Sequence, residues 1–289
     1  MHGVLVLDKP PNLSSAAAVD HVKRALGAAR AGHGGTLDPI ATGVLAVCID
    51  AATKLAPYLL ADDKAYEAEG LFGVETDTLD RGGRVLRESA VDVTEAALRD
   101  AIAKRIGEQE QIPPMFSALK QGGRRLYHLA RAGEEVERAP RKIRIDVLEL
   151  LLFEPPRFRV RIACSKGTYV RTILADLGTD VGCGAHMTEL RRTVSGRFSL
   201  AQAVTLERVL EGKLIPLAEV TGLPVIQVPE TMRKHALSGV QFSVETWGEL
   251  PEKAERFQLL DERGQLIAII HFEDGKTIYD RVFPEVAGT

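Results

Sequence analysis

Gly32-His33-Gly34-Gly35-Thr36-Leu37-Asp38-Pro39-Ile40-Ala41-Thr42-Gly43 sets one carboxylate among glycines and a proline. Glycine admits backbone turns closed to other residues and lets another group approach closely. Pro39 restricts Asp38 to extended conformations. An acid held this way, on a loop between a helix and a strand, can face a cleft. The plainer alternative is an ordinary turn in which Asp38 bonds its own backbone, and spacing alone favours that alternative. Neither GxxxxGK[ST] nor GxGxxG occurs in the stretch, so a phosphate-binding loop is a poor fit.

Working outward, Val4 to Leu7 is an apolar run ending at a Pro-Pro breaker and reads as a buried strand. Ser14 or Ser15 caps a helix to about Leu26, with Val19, Val22 and Leu26 on its apolar face. A Gly-rich loop covers Gly27 to Pro39. Val44 to Ile49 reads as a second buried strand and Ala51 to Leu60 as a helix. Tyr66 to Phe72 reads as a strand, Gly73 to Gly83 as a loop, and Thr94 caps a helix through Ile106. Ile143/Ile145/Val147 and Phe158/Val160/Ile162/Cys164 alternate as strands do. Thr172 to Val181 is helical in pattern. Beyond about Leu223 come short strands with turns at Glu262-Arg263-Gly264 and Asp274-Gly275. Phe257/Leu259 and Leu266/Ala268/Ile270 alternate there. This predicts a small β-barrel on an α/β body, with units 1–220 and 221–289.

The chain has 289 residues, 45% hydrophobic and 27% charged, which is ordinary for a globular protein with a full core. Net charge is −3, a weak argument against nucleic acid, because binding depends on where basic residues cluster. They do cluster: Lys120 to Arg144 holds eight basic residues against three acidic ones. Cys48, Cys164 and Cys183 are odd in number and form no CxxC pair. A disulfide framework or zinc site is therefore not expected, and a reducing cytoplasm fits. No apolar run reaches the roughly 18 residues of a membrane span.

The Asp38 segment closely resembles the signature of the bacterial tRNA pseudouridine-55 synthase (TruB-type) family. Further matches follow in the family's order: Gly3 to Pro11, Lys64-Ala65-Tyr66, Pro113 to Lys120, Lys166 to Thr172, and Gly184 to Arg192. The tail resembles the PUA RNA-binding domain more loosely. The resemblance implies an α/β (α+β) body with a central mixed, mainly antiparallel sheet and a catalytic cleft, plus a small PUA-like β-barrel. It implies isomerisation of a T-loop uridine in tRNA, without metal, redox or other cofactor.

By the same resemblance, Asp38 is the catalytic carboxylate, and Arg171 pairs with it and is expected to lower its pKa. Tyr66 stacks on the target base, and Tyr169 and Leu190 line the uracil pocket. His33 fills the place a flipped nucleotide leaves in the RNA. Lys9 and Pro10 support the loop. The basic insertion matches a thumb that closes on RNA, with Lys120, Arg124, Arg125, Arg141 and Lys142 as candidate phosphate contacts. Phe116 stands where many relatives have tyrosine, which puts any contact through that hydroxyl in doubt. The expected partner is the tRNA T stem-loop, with no DNA, no membrane and no obligatory protein partner, the chain acting as a monomer. The rival readings are a non-catalytic tRNA-binding or tRNA-folding protein and a guide-RNA-dependent synthase.

Overall fold

The computed structural model describes residues 1–284 except 118, 122, 132, 135, 252 and 253, and at 120, 121, 125, 127 and 131 the backbone alone. Strand β1 (Gly3–Lys9) leads into helix α1 (Ser15–Ala25), then strands β2 (Ala31–His33) and β3 (Thr42–Ile49), with the Asp38 loop between the last two. Ser14 caps α1 by accepting the Ala17 N–H, and Lys23 and Arg24 occupy its last turn, where cations suit the helix dipole. Val19 and Val22 are buried as expected, while Leu26 is the C-cap and only partly so.

The single helix expected over Ala51 to Leu60 is instead a 3₁₀ segment, Asp50–Leu55, followed by helix α2 (Ala56–Leu60). Pro57 is the cause. It fits the first turn of a helix but would clash with a carbonyl four residues earlier in a continuous one. Strand β4 (Lys64–Phe72) alternates buried and half-buried along its whole length. The expected Gly73–Gly83 loop opens with β5 (Val74–Thr76), which pairs with β6 (Val85–Glu88). Helix α3 (Glu95–Lys104) is capped by Thr94 and stops short of Ile106, because Gly107 turns the backbone at φ +104. Strand β7 (Gly107–Gln111) precedes the basic insertion, which contains the hairpin β8 (Lys120–Gln121) and β9 (Arg124–Arg125) and the helix α4 (Leu126–Arg131).

Strands β10 (Arg141–Glu154) and β11 (Arg157–Cys164) form the long hairpin of the sheet. Ile143 and Ile145 point inward, but a register shift between Ile145 and Val147 re-aims the strand. Leu148 becomes buried and Val147, expected inside, is 40% exposed. Helix α5 (Val170–Asp180), strands β12 (Ala185–Ser195) and β13 (Phe198–Ser199) and helix α6 (Leu217–Val220) complete the body. The main sheet runs β1-β3-β12-β4-β11-β10-β7. Every pairing along that order is antiparallel except β12 with β3, so the sheet is mixed and mainly antiparallel. The parallel pair decides the site, because it sets Arg192 beside Gly43 at the end of the Asp38 loop.

The tail contains β14 (Val225–Gln227), α7 (Glu230–Leu237), β15 (Phe257–Leu260), β16 (Leu266–Glu273) and β17 (Lys276–Val282). Among the described residues its strands pair as an open four-stranded ladder with β14 parallel to β15; closure into the expected barrel is not among their pairings. Pro224 and Pro229 flank β14 and have no N–H to offer a further strand. Although β15 and β16 alternate in sequence, both of their faces are buried. Phe257, Leu259, Ala268 and Ile270 pack with Ile226 and Ala236 of the tail. Leu260, Leu266 and Ile269 pack with Val4, Val6, Val44 and Ala46 of the main sheet, so apolar packing is continuous across residue 220.

Gly43 shows how tightly the loop is built. Its φ is +98, and a Cβ there would lie 2.2 Å from the Arg192 carbonyl oxygen. Gly43→Ala is therefore expected to cost about 3 kcal/mol of stability from strain and overpacking. Urea unfolding measures it.

Candidate active site

The Asp38 loop is pinned from three sides. On one side, the Ser15 hydroxyl donates to the Leu37 carbonyl at 2.9 Å and accepts the Leu37 N–H at 2.8 Å, which ties the loop to α1. From β1, Lys9 Nζ donates to the carbonyls of Pro10 at 2.8 Å, Leu13 at 2.7 Å and Pro39 at 3.4 Å. Burial pushes the Lys9 amine down to about 8, against the pull of Asp38 and with the help of Arg192. From β12, Arg192 donates to carbonyls on both arms of the loop. A turn does form at Asp38, but through its backbone carbonyl, which accepts the Ala41 N–H at 3.0 Å. The carboxylate is left free to face Arg171.

Arg171, on the first turn of α5, is 5% exposed, and its Nε lies 3.1 Å from Asp38 Oδ2. Its Nη1 donates to the Thr78 carbonyl at 2.9 Å and lies 3.4 Å from Asp80 Oδ2, and its Nη2 donates to the Phe116 carbonyl at 3.0 Å. One buried guanidinium therefore stands between two carboxylates. The contact at position 116 runs through the main chain, which makes it indifferent to phenylalanine or tyrosine there. Asp80 is itself fixed by the Thr78 hydroxyl at 2.7 Å and the Gly82 N–H at 2.9 Å.

Arg171 lowers the Asp38 pKa as expected, yet it does not set the net direction of the shift. Arg171 and Lys9 do pull it down, but burial is the largest influence and, with help from Asp80, leaves it above the ordinary 3.8. Asp38 still shows 37% of its side chain to solvent, so it is reachable from outside.

Tyr66 is buried on β4, directly opposite Arg192 on β12. Burial raises its phenol pKa while the Arg192 charge opposes that rise. Tyr169 begins α5, and Gln111 clamps its backbone on both sides, accepting its N–H at 2.8 Å and donating to its carbonyl at 3.1 Å. Burial raises its phenol pKa also. Leu190 pairs with Ala68 and, with Pro11, Ile40 and Thr42, lines a cleft of about 270 Å³. His33 lies on β2, where Nδ1 accepts the Gly35 N–H at 3.4 Å; burial, then Arg192, lowers its pKa and favours the neutral ring. Pro10 enters through its carbonyl, which holds Lys9.

Arg124 pairs with Glu134 at 3.2 Å, and Arg141 and Lys142 are exposed. The side chains of Lys120 and Arg125 lie outside the described residues. Sequence reading missed Ser15, Asp80, Gln111 and Arg192 as parts of the site. Asp80 carried a signal, since Asp80-Arg81-Gly82-Gly83 sets a carboxylate beside glycines just as the Asp38 stretch does. Among the described residues no group of three His, Cys, Asp or Glu side chains is placed to hold a metal ion, and no helix is long and apolar enough to cross a membrane.

A family model described as TruB family pseudouridylate synthase (N-terminal domain) matches residues 23–170, just over half of the chain. The chain belongs to the TruB family. A second model, the tRNA pseudouridylate synthase B C-terminal domain, matches residues 171–216. Neither TruB model reaches the sheet β14 to β17. Among TruB relatives, the tRNA pseudouridine synthase B of Pseudomonas aeruginosa (strain UCBPP-PA14) is 48% identical over 251 residues, 82% of each chain. That of Aromatoleum aromaticum is 54% identical over 204 residues, 71% of this chain and 66% of the relative. A solved Cbf5-Nop10-Gar1 complex contains a chain of the same fold, with TM-score 0.76 at 25% identity, covering 97% of this chain and 84% of that one.

Proposed function

We propose that this chain isomerises uridine to pseudouridine at position 55 in the T loop of tRNA, with Asp38 as the catalytic carboxylate. The observation that carries the reading is the Asp38–Arg171 pair. It is a solvent-reachable acid, held at 3.1 Å by a guanidinium that is itself buried. The reaction breaks the bond from uracil N1 to ribose C1′ and forms one from C5 to C1′. N1 gains a proton and C5 loses one, so atoms balance without a co-reactant. A carboxylate serves this either as a nucleophile at C1′ or as a base toward the sugar. Both roles need it ionised.

The other residues take supporting parts in this reading. The Tyr66 ring holds the detached uracil against diffusion, with Tyr169 and Leu190 as further walls. The neutral His33 ring occupies the gap left when the nucleotide flips out, a step that costs a few kcal/mol of stacking. Lys9 and Pro10 brace the loop. The basic insertion, about 120–144, serves as the thumb, and the units 1–220 and 221–289 divide catalysis from RNA binding by a PUA-like tail. The enzyme acts as a cytoplasmic monomer, without cofactor, guide RNA or DNA. The tRNA pseudouridine synthase B relatives favour that reading over a guide-dependent one.

The test is single-turnover tritium release from C5-labelled uridine in unmodified tRNA, with the product mapped. Release from the T-loop uridine by the purified protein supports the proposal. Bound RNA with no release leaves a tRNA-binding protein instead. If the thumb contacts phosphates, affinity should fall steeply with salt, and Arg141→Gln with Lys142→Gln should lower the slope of log K against log salt by about 1.5. Filter binding across a salt series measures this.

A further inference from the structure

Arg192 is only 2% exposed, and among the described residues no carboxylate pairs with it. Its guanidinium bonds the Tyr66 side chain and otherwise serves backbone. Nε donates to the Val44 carbonyl at 2.7 Å, Nη2 to Gly35 at 3.1 Å and Nη1 to Thr36 at 3.4 Å. Two of these acceptors precede Asp38 and one follows it, so a single side chain gathers both arms of the loop. Two glycines that flank Asp38 in the motif face the same residue. A Cβ on Gly43 would lie 2.2 Å from the Arg192 carbonyl oxygen, and one on Gly35 3.6 Å from its Nη1.

We infer that Arg192 is the positioning residue that moulds the catalytic loop and sets where Asp38 stands. The inference rests on the catalytic reading of Asp38. A buried cation without a counter-ion is costly, and apolar residues would fill the same volume at less cost. What they could not supply is a rigid planar fork with donors aimed in two directions. A lysine offers a single charged nitrogen and cannot reach the Gly35, Thr36 and Val44 carbonyls together. Ser15 and Lys9 hold the middle of the loop at Leu37 and Pro39, while Arg192 sets the distance between its ends.

The experiment compares wild type, Arg192→Lys, Arg192→Gln and Asp38→Asn in single-turnover tritium release, with tRNA affinity and thermal melting measured on the same samples. Arg192→Lys is expected to fold and to bind tRNA within about twofold of wild type. Its rate constant at saturating enzyme should fall about 100-fold, the scale of an ångström misplacement of a reacting group. Arg192→Gln should be at least as slow. Hydrogen exchange at residues 34–41 should quicken in both, while exchange in β4 and β11 stays as in wild type.

A wild-type rate per folded molecule in Arg192→Lys overturns the inference. So does a loss confined to tRNA affinity, and so does failure of both variants to fold, which would make Arg192 a general determinant of the core. Release that persists in Asp38→Asn defeats the catalytic reading itself and is distinguishable from all of these.

Discussion

Asp38→Asn is expected to slow tritium release by more than about 1000-fold while tRNA binding stays within a few-fold of wild type. The amide keeps the size of the side chain and can still bond Arg171, but it can neither attack C1′ nor take a proton. The wild-type rate should also fall as pH drops, with its midpoint above the ordinary carboxylate value of 3.8, because burial raises the Asp38 pKa. The stability of the fold runs the other way. The folded chain holds the Asp38 proton more tightly than the unfolded chain does, so ionising it costs folding free energy as pH rises through the two values. The Asn variant escapes that cost. It should melt no lower than wild type at neutral pH, and the difference should close toward acid, where both side chains are neutral. Release at the wild-type rate from the Asn variant would remove Asp38 from the mechanism.

Arg171→Met is expected to be damaging twice over. It removes the counter-charge from Asp80, which stays buried, and leaves the carbonyls of Thr78 and Phe116 without their donor. Breaking a buried ion pair from one side costs about 3 kcal/mol or more, because the remaining charge is stranded. Catalysis should fall by a further 100-fold or so per folded molecule, the scale seen when a fixed donor at a reaction centre is lost. Arg171→Lys should fall between, keeping the charge but losing the fork that reaches Asp38, Asp80 and two carbonyls at once. Urea unfolding and single-turnover rates, normalised to folded protein, separate the two effects. A Met variant as stable as wild type would mean that Asp80 finds another partner.

These two residues also mark what was legible beforehand. Asp38, Tyr66, Arg171 and Leu190 stand in ordered local motifs, and each motif can be read from neighbouring letters. The caps at Ser14 and Thr94 were equally local, since each side chain serves an N–H three residues along. The break at Pro57 was local too, yet easily misread, and the turned strand at Val147 was not local. The first depends on one ring clashing with a carbonyl. The second depends on a register shift that only the partner strand β11 defines. In the tail, alternation in β15 and β16 indicated strands but not that the main sheet would cover their second face.

The sequence by itself determined the helix caps, several of the helices and strands, and the loop that presents Asp38, because these depend on short-range backbone preference and periodicity, while the ordered motifs pointed to the family; strands β2, β5, β7 and β12 went unread. Only the tertiary structure decided that Asp80 shares Arg171 with Asp38 and that Arg192, beside Gly43 through the parallel pairing of β12 with β3, gathers the loop. It also decided the sign of the Asp38 pKa shift. That sign is a balance between burial and three nearby charges, and neither burial nor distance exists until remote segments meet.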